Sequence, residues 1–200
     1  MGYLKKIEYE IVLEDSFWVV RNCPKCGRKT HYKNTEKFRV NANGSKLDVW
    51  LIYQCEECKH TLNLAIYERR KVSLVPKEEY RRFLDNDEQL AQMYGRHMPL
   101  FLENKAEIDF DRLQYRFVKQ REIMESSDFG AQVLLTIKNP FGLKLRREKQ
   151  IAEVLGLSRS QVKALLEEGK IEWKMELPQQ ISAGIDASLF HAGNSLFQTD

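Results

Sequence analysis

The four cysteines of the chain form two pairs, and each pair has the spacing of a metal-binding turn. The first pair is Cys23 and Cys26, the second is Cys55 and Cys58, and 28 residues lie between them. Two thiolates separated by two residues can bind one metal ion from a tight turn, and two such turns complete a tetrahedral shell of four sulfurs. Because a shell of four thiolates suits zinc best, the spacing predicts one closed structural Zn2+ site.

Other uses of these cysteines stay open at this point. Cys23-Pro24-Lys25-Cys26-Gly27 resembles the turn of a rubredoxin-type iron site, whereas the second turn, Cys55-Glu56-Glu57-Cys58-Lys59, lacks its proline and glycine. A redox-active C-x-x-C would need a strand before one pair and a helix start at it. Four unconnected buried cysteines are the remaining interpretation. His31 and His60 are near enough in sequence to replace a ligand, but we expect both at the surface.

A closed shell of four thiolates leaves no position for water or substrate, so the metal would serve folding rather than catalysis. The chain contains no phosphate-binding loop, no dinucleotide glycine pattern and no nucleophile elbow. These observations give enzymatic activity no support, and they identify no small-molecule substrate. We therefore expect a non-catalytic protein, and an enzyme that acts on a nucleotide or RNA stays open as an alternative.

The composition, 42% hydrophobic and 30% charged, is typical of a soluble globular protein of one or two domains. The net charge of +3 does not by itself indicate a nucleic-acid partner. Lysine and arginine outnumber acidic residues by 14 to 9 in residues 1–75 and by 9 to 5 in residues 138–174. Residues 76–137 are mildly acidic, with 9 basic residues against 12. Basic charge is thus concentrated in two regions.

The N-terminal residues lead directly into charged sequence, without the apolar region of a secretion signal. No apolar run approaches the roughly 20 residues that a membrane span requires. Cysteines in a chain without an export signal are typical of the reducing cytosol, where thiols bind metals rather than form disulfides. We expect a cytoplasmic protein with no membrane partner.

The pattern of apolar residues predicts an α+β fold. In residues 1–75 it predicts the β-hairpins of a zinc ribbon, with Asn43-Gly44 supplying a turn and Trp50 in the core. A helical or mixed middle region follows in residues 76–137, where 104–130 fits neither a helix nor a strand clearly. Residues 138–200 comprise a helix-turn-helix module with strands and a tail, and Gly156 and Ser158 mark the break between its two helices.

The segment from Leu145 to Ile171 resembles the alpha-L RNA-binding motif, which is named for a small-subunit ribosomal protein and recurs in pseudouridine synthases and a heat-shock protein. A basic helix start, Leu-Gly-Leu, Ser-Arg-Ser and Glu-Glu-Gly carry the resemblance. It implies that RNA is contacted by the residues at matching positions, which are Arg146, Arg147, Ser158, Arg159, Ser160, Lys163 and Lys170. Lys149, on the same helix, is a further candidate.

A physical reason supports RNA as the partner, because two helix N-termini flanked by cations offer free amides and positive charge to phosphates. Arg39, on the predicted hairpin, could contact phosphate as well. The leading hypothesis is a non-catalytic zinc protein that binds structured RNA. DNA binding and a helix-turn-helix scaffold with solvated charges stay open, as does an adaptor whose modules bind a protein partner. Only phosphate contacts should weaken steeply with salt.

The chain as a whole also resembles a bacterial family known as a domain of unknown function. The segments that carry this resemblance are Cys23–Gly27, Lys37–Gly44 and Leu47–Cys55. The resemblance implies no activity, but it supports a single protein that contains both the ribbon and the C-terminal module.

Overall fold

The computed structural model describes residues 5–124 and 132–191 of the chain. It has the predicted α+β architecture, with helices and two β-sheets. Part of the predicted C-terminal tail, residues 192–200, and residues 125–130 of the segment without a clear prediction lie outside the described residues. Among the described residues, every helix is too short or too polar to cross a membrane.

Five strands and three helices come first along the chain. The strands are β1 (Lys5–Leu13), β2 (Val19–Cys23), β3 (Arg28–Asn43), β4 (Lys46–Cys55) and β5 (Thr61–Lys71). The helices are α1 (Lys77–Leu84), α2 (Glu88–Gly95) and α3 (Met98–Glu103).

The remaining elements are mostly strands. They are β6 (Glu107–Ile108), β7 (Tyr115–Met124), β8 (Gln132–Lys138), α4 (Arg147–Leu155), α5 (Arg159–Glu167), β9 (Ile171–Leu177), β10 (Gln180–Asp186) and α6 (Ser188–His191).

Residues 13–114 form one compact unit, which is built on an antiparallel sheet with the strand order β5-β4-β3-β2-β6. The burial pattern of β4 identifies the inner face of this sheet. Alternate residues of the strand are buried and those between them are half-buried; the buried ones are Leu47, Val49, Leu51, Tyr53 and Cys55. Since side chains alternate across a strand, this pattern places one face of the sheet against a core. The helices α1, α2 and α3 contact this sheet.

Aromatic rings fill the core of this unit. Phe101 of α3 packs edge-on against Phe17 and Tyr53, with ring centroids 5.1 and 6.1 Å apart. Phe83 of α1 packs against Phe38 at 4.9 Å in the same manner. Edge-to-face pairs at such distances contribute about 1 kcal/mol each beyond the burial of their surface. The sheet and its helices therefore share one aromatic core.

A bulge in β3 is fixed by a buried asparagine. The register between β3 and β4 shifts between Asn34 and Phe38, and Glu36 in this interval has a positive φ of 59°. The Asn34 side chain accepts from the Glu36 backbone N–H at 2.9 Å and donates to the Ser16 hydroxyl at 2.9 Å and the Ala91 carbonyl at 3.1 Å. The Asn34 side chain thus connects the irregular backbone of β3 to Ser16 and to α2.

The second unit comprises residues 1–12 and 115–200, and its sheet has the strand order β7-β1-β8-β10-β9. β1 pairs with β8 in parallel, whereas β10 pairs with β8 and β9 in antiparallel fashion. The helix α4 buries Ile151, Val154 and Leu155 and contacts α5, which in turn contacts β9. The first unit is therefore an insertion, in sequence, between β1 and β7.

The end of α4 and the start of α5 are capped as their sequence predicts. Gly156 caps α4 with a φ of 64°, a left-handed conformation in which glycine is favoured. Ser158 caps α5, and its side chain and that of Gln161 form a reciprocal capping box.

The domain boundaries predicted from the sequence, at 75/76 and 137/138, differ from the limits of these two units. The helices that begin after Pro76 contact the same sheet as the cysteine-bearing strands, and β1 pairs with β8 across the whole insertion. The predicted middle region is helical to Glu103 and continues as β6 and β7, before the start of β8. Trp50, which was expected in the core, lies half-buried on the opposite face of β4 from the buried Tyr53.

Gly95, at the end of α2, provides the first test of this packing. A Cβ atom there would lie 2.3 Å from the Ser16 Oγ and 2.6 Å from the Asn34 Nδ2. We expect Gly95→Ala to lower the free energy of unfolding by about 1–3 kcal/mol, measured by urea denaturation, because of this overlap. At an unstrained helical glycine, the same substitution would instead raise the free energy of unfolding by up to about 1 kcal/mol. The sign of the measured change therefore shows whether the Cβ overlap is real.

Candidate metal centre

The structure brings the four cysteines together. The Sγ atoms of Cys23 and Cys58 are 3.5 Å apart, those of Cys26 and Cys55 are 3.9 Å apart, and all four lie within 4.8 Å of one another. A metal ion at about 2.3 Å from four tetrahedrally placed sulfurs requires sulfur separations of about 3.8 Å. The observed arrangement matches that requirement closely, so the cluster could hold a metal ion.

The register of β3 explains why two turns so far apart in sequence meet. Cys23, at the end of β2, pairs with Arg28 near the start of β3. Four residues further along β3, Tyr32 pairs with Cys55 at the end of β4. Because β3 lies between β2 and β4, the two cysteine-bearing strand ends lie on either side of its first residues.

The two turns are built alike. The Gly27 N–H donates to the Cys23 carbonyl at 2.9 Å, and the Lys59 N–H donates to the Cys55 carbonyl at 3.1 Å. Gly27 and Lys59 occupy the same place after their cysteine pairs, with positive φ values of 69° and 62°. Glycine adopts this conformation readily, whereas lysine bears a steric cost. The second turn therefore has the geometry of the first despite its different sequence.

Buried hydrogen-bond donors surround the sulfurs. Burial opposes ionisation of Cys23, but hydrogen bonds from the Tyr32 hydroxyl and the Cys26 and Lys25 backbone lower its pKa to about 5. Burial likewise opposes ionisation of Cys55, and bonds from the Cys58 backbone and the Thr30 hydroxyl, 3.4 Å away, lower its pKa below the usual value. Thiolate is the form that binds metal, so these donors favour the ligand state of two cysteines.

The pKa of Cys26, in contrast, is raised, chiefly by its hydrogen bond with Cys58 and also by its burial. Four thiols this close cannot all ionise without a cation between them, because like charges at such distances repel strongly. The cluster has the chemistry of a site whose full ionisation depends on a bound metal ion.

Neither nearby histidine is a ligand. His31 Nε2 lies 3.0 Å from the Asp109 carboxylate, and His60 is exposed with its carbonyl accepting from the Cys55 N–H. In the described part of the chain, all four cysteines are free of disulfides. The metal-binding cluster found there consists of sulfur atoms alone.

Three of the predicted RNA-binding cations are engaged by neighbouring acids. Arg147 Nη1 lies 2.8 Å from the Glu176 carboxylate, and the guanidinium stacks 4.7 Å from the Trp173 ring. Lys149 pairs with Glu153 at 3.5 Å, and Lys170 pairs with Glu168 at 2.7 Å; both lysines are partly exposed. A phosphate would have to compete with these carboxylates.

The other predicted residues of the module remain available. Arg146, Arg159 and Lys163 have no acidic partner within 4 Å among residues 5–124 and 132–191; Arg146 precedes α4, Arg159 begins α5, and Lys163 follows one turn later. All three are exposed. The Ser160 hydroxyl is 2.9 Å from that of Ser158.

Arg39 belongs to a larger surface that the sequence did not reveal. It pairs across the sheet with Trp50, and its guanidinium lies 5.7 Å from the indole ring. On the same face, Ile52 and Gln54 line a groove of about 660 Å3. We call this the basic groove, and its walls include Trp18, Lys33, Lys37 and Lys59.

Cations surround the indole of the basic groove. Arg112 lies 5.1 Å and Lys33 lies 6.0 Å from the Trp18 ring. Arg112 also pairs with Glu56 of the second cysteine turn at 2.9 Å. The signal in the sequence was the repeated basic residues of β3.

The fold and the cysteine cluster together define an α+β protein with a possible four-sulfur metal centre at one end of an antiparallel sheet. A family model described as "Protein of unknown function (DUF1062)" matches residues 40–177, which is 138 of 200 residues, and the chain belongs to this family. The match includes Cys55 and Cys58 and begins after the first cysteine pair. Comparisons with curated proteins and with solved structures find no match.

The similarity of the two turns yields a paired test. Gly27→Ala places a Cβ on a left-handed residue, and we expect it to weaken metal binding by about 1–2 kcal/mol. Lys59→Gly relieves the same steric cost in the second turn and should not weaken binding. Competition with a chromophoric chelator measures both affinities. Equal losses in the two variants would contradict the equivalence of the turns.

Proposed function

We propose that this chain is a non-catalytic, zinc-containing protein that binds RNA. The observation that carries the proposal is the basic groove, where an indole ring and three lysines line one open face of the sheet beside the cysteine turns. Proteins that bind single strands combine stacking platforms with cations that follow the backbone. The adjacent pair of Arg39 and Trp50 extends that chemistry along the same face.

The C-terminal helices offer a second set of phosphate contacts. Arg146, Arg159 and Lys163 are exposed and free of carboxylates within the described residues, and two of them lie at the starts of α4 and α5. The Ser158 side chain accepts only from the Gln161 N–H, so the earlier N–H groups of α5 can donate to phosphate oxygens. The resemblance of this segment to the alpha-L motif supports the choice of the same residues as RNA contacts.

Zinc is the metal that the donor set favours. Four thiolates in a closed shell suit zinc, and the second turn lacks the proline and glycine of the rubredoxin pattern. Its role would be to hold the ends of β2 and β4 together. Lys59, on the second turn, lines the basic groove, so the metal would also fix one end of the RNA surface.

The role of the metal can be tested on protein purified without added metal. We expect one zinc ion per chain by elemental analysis. The free energy of zinc binding to a structural site is on the order of 10 kcal/mol, which is comparable to the free energy of unfolding of a whole domain. Removal of zinc by a chelator should therefore abolish the hydrogen-exchange protection of β2 and β4. Bound iron, or unchanged protection in metal-free protein, would contradict the proposal.

RNA binding can be tested by charge reversal on each surface separately. Lys33→Glu with Lys37→Glu should weaken binding of an oligouridine 12-mer by at least about tenfold, because two phosphate contacts are lost. The slope of log affinity against log salt should fall by about 1.4, since each contact to a single strand contributes about 0.7. Fluorescence anisotropy over a salt series measures both.

The second surface has its own variant and probe. Arg159→Glu with Lys163→Glu should weaken binding of a hairpin RNA by a similar factor. Arg116→Glu with Arg121→Glu on β7 changes the net charge by the same amount at residues assigned to neither surface, and it serves as the control. If all three double variants lost equal affinity, only overall charge would matter, and the assignment of the surfaces would be wrong.

A further inference from the structure

The inserted unit contains a second cleft, distinct from the basic groove. It has a volume of about 530 Å3 and lies where two strand edges approach each other. One wall is β5 at Leu62–Leu64, the opposite wall is β2 at Val19–Asn22, and the segment Asn104–Glu107 closes one end. Both strands are near the ends of the sheet order, so each has backbone groups without a full partner strand.

On β5, the side chain of Asn104 acts in place of a neighbouring strand. Its Oδ1 accepts from the Ala65 N–H at 2.7 Å, and its Nδ2 donates to the Ala65 carbonyl at 2.9 Å. Because the backbone groups of alternate residues point to the same side of an antiparallel strand, those of Asn63 and Thr61 point outward as well. These two residues lie beyond the reach of Asn104 and face the open edge.

On β2, the same reasoning identifies the outward groups. The Trp18 carbonyl accepts from the Asp109 N–H at 2.9 Å, so Trp18 faces the β6 side. Two residues later, Val20 is opposite Glu107, where the pairing of β6 ends. Alternation then places the backbone groups of Asn22 on the same open side, with no residue of β6 opposite.

The segment Asn104–Glu107 connects the two edges at one end of the cleft. Asn104 bonds to β5 through its side chain, and Glu107 pairs with β2. Beyond this segment, the two edges face the cleft with no strand between them among the residues that line it.

The charge of the cleft selects the kind of strand. Arg21, Lys29 and Lys105 line it together with one acid, Glu107, which is paired with Lys29 at 2.8 Å. Arg21 and Lys105 have no acidic partner within 4 Å among the described residues, and both are exposed. Cations that flank two hydrogen-bonding edges complement an extended peptide with acidic side chains.

From these observations, the geometry points to a peptide-binding site: a short, extended, acidic peptide adds a strand between β5 and β2 and bonds to the backbone of Asn63 and Asn22. The proposal goes beyond RNA binding and does not rest on it, because the basic groove and this cleft share no lining residue. Exposed edges are prone to nonspecific pairing, and an intended partner strand is one way in which such an edge is used.

The probe is a fluorescein-labelled alternating Asp-Val pentapeptide with blocked ends, and the protein is the full chain with its metal. Asn63→Pro removes an outward N–H and also fixes φ of this residue, while Asn63→Ala keeps the N–H. We expect Asn63→Pro to weaken peptide binding by about tenfold and Asn63→Ala to change it less than twofold. Metal content and thermal melting, compared with the unmodified chain, identify any variant that fails to fold.

Hydrogen exchange and charge reversal provide readouts that do not depend on the proline variant. Peptide binding should protect the Asn63 amide in the unmodified chain. Arg21→Glu with Lys105→Glu should weaken binding of the acidic peptide at least about tenfold and strengthen binding of a Lys-Val pentapeptide. The proposal is overturned if the peptide leaves the Asn63 amide unprotected, if folded Asn63→Pro and Asn63→Ala bind alike, or if oligouridine displaces the peptide. Lys33→Glu with Lys37→Glu, the groove variant, should leave peptide binding unchanged.

Discussion

The pairing of β3 with both β2 and β4 is the constraint on which the inserted unit depends. It brings the ends of those two strands together, so that the four cysteine Sγ atoms lie within 4.8 Å of one another and could bind a single metal ion. It also leaves the far edges of the sheet to β5 and to the two-residue strand β6. The cysteine cluster and the open edge are therefore consequences of one arrangement of strands.

The two faces of this sheet serve different purposes because of the strand period. One face carries large apolar side chains against α1, α2 and α3, and the other carries indoles and cations. Lys33 and Arg39 lie on either side of the bulge at Asn34, and both contribute to the outer face.

The sequence predicted the features that depend on local chemistry. The cysteine pairs, the turn at Gly44 and the capping of α4 and α5 each follow from a few neighbouring residues whose conformational preferences are strong. It missed the pairing of β1 with β8, because contacts between residues more than a hundred positions apart leave no periodic signal. It also placed Trp50 in the core, since an aromatic residue in a strand does not by itself indicate which face is buried.

The inserted unit begins and ends at one point: the Glu14 N–H donates to the Gln114 carbonyl at 3.0 Å. Lys5 and Val133, which pair in the other sheet, are separated by the whole insertion. Each tenfold shortening of a closed loop lowers its entropic cost by roughly 2 kcal/mol. An insertion that is already folded reduces the effective length of that loop. The topology therefore favours an order of folding in which the cysteine-bearing unit forms first, because β1 and β8 then pair across a shorter effective loop.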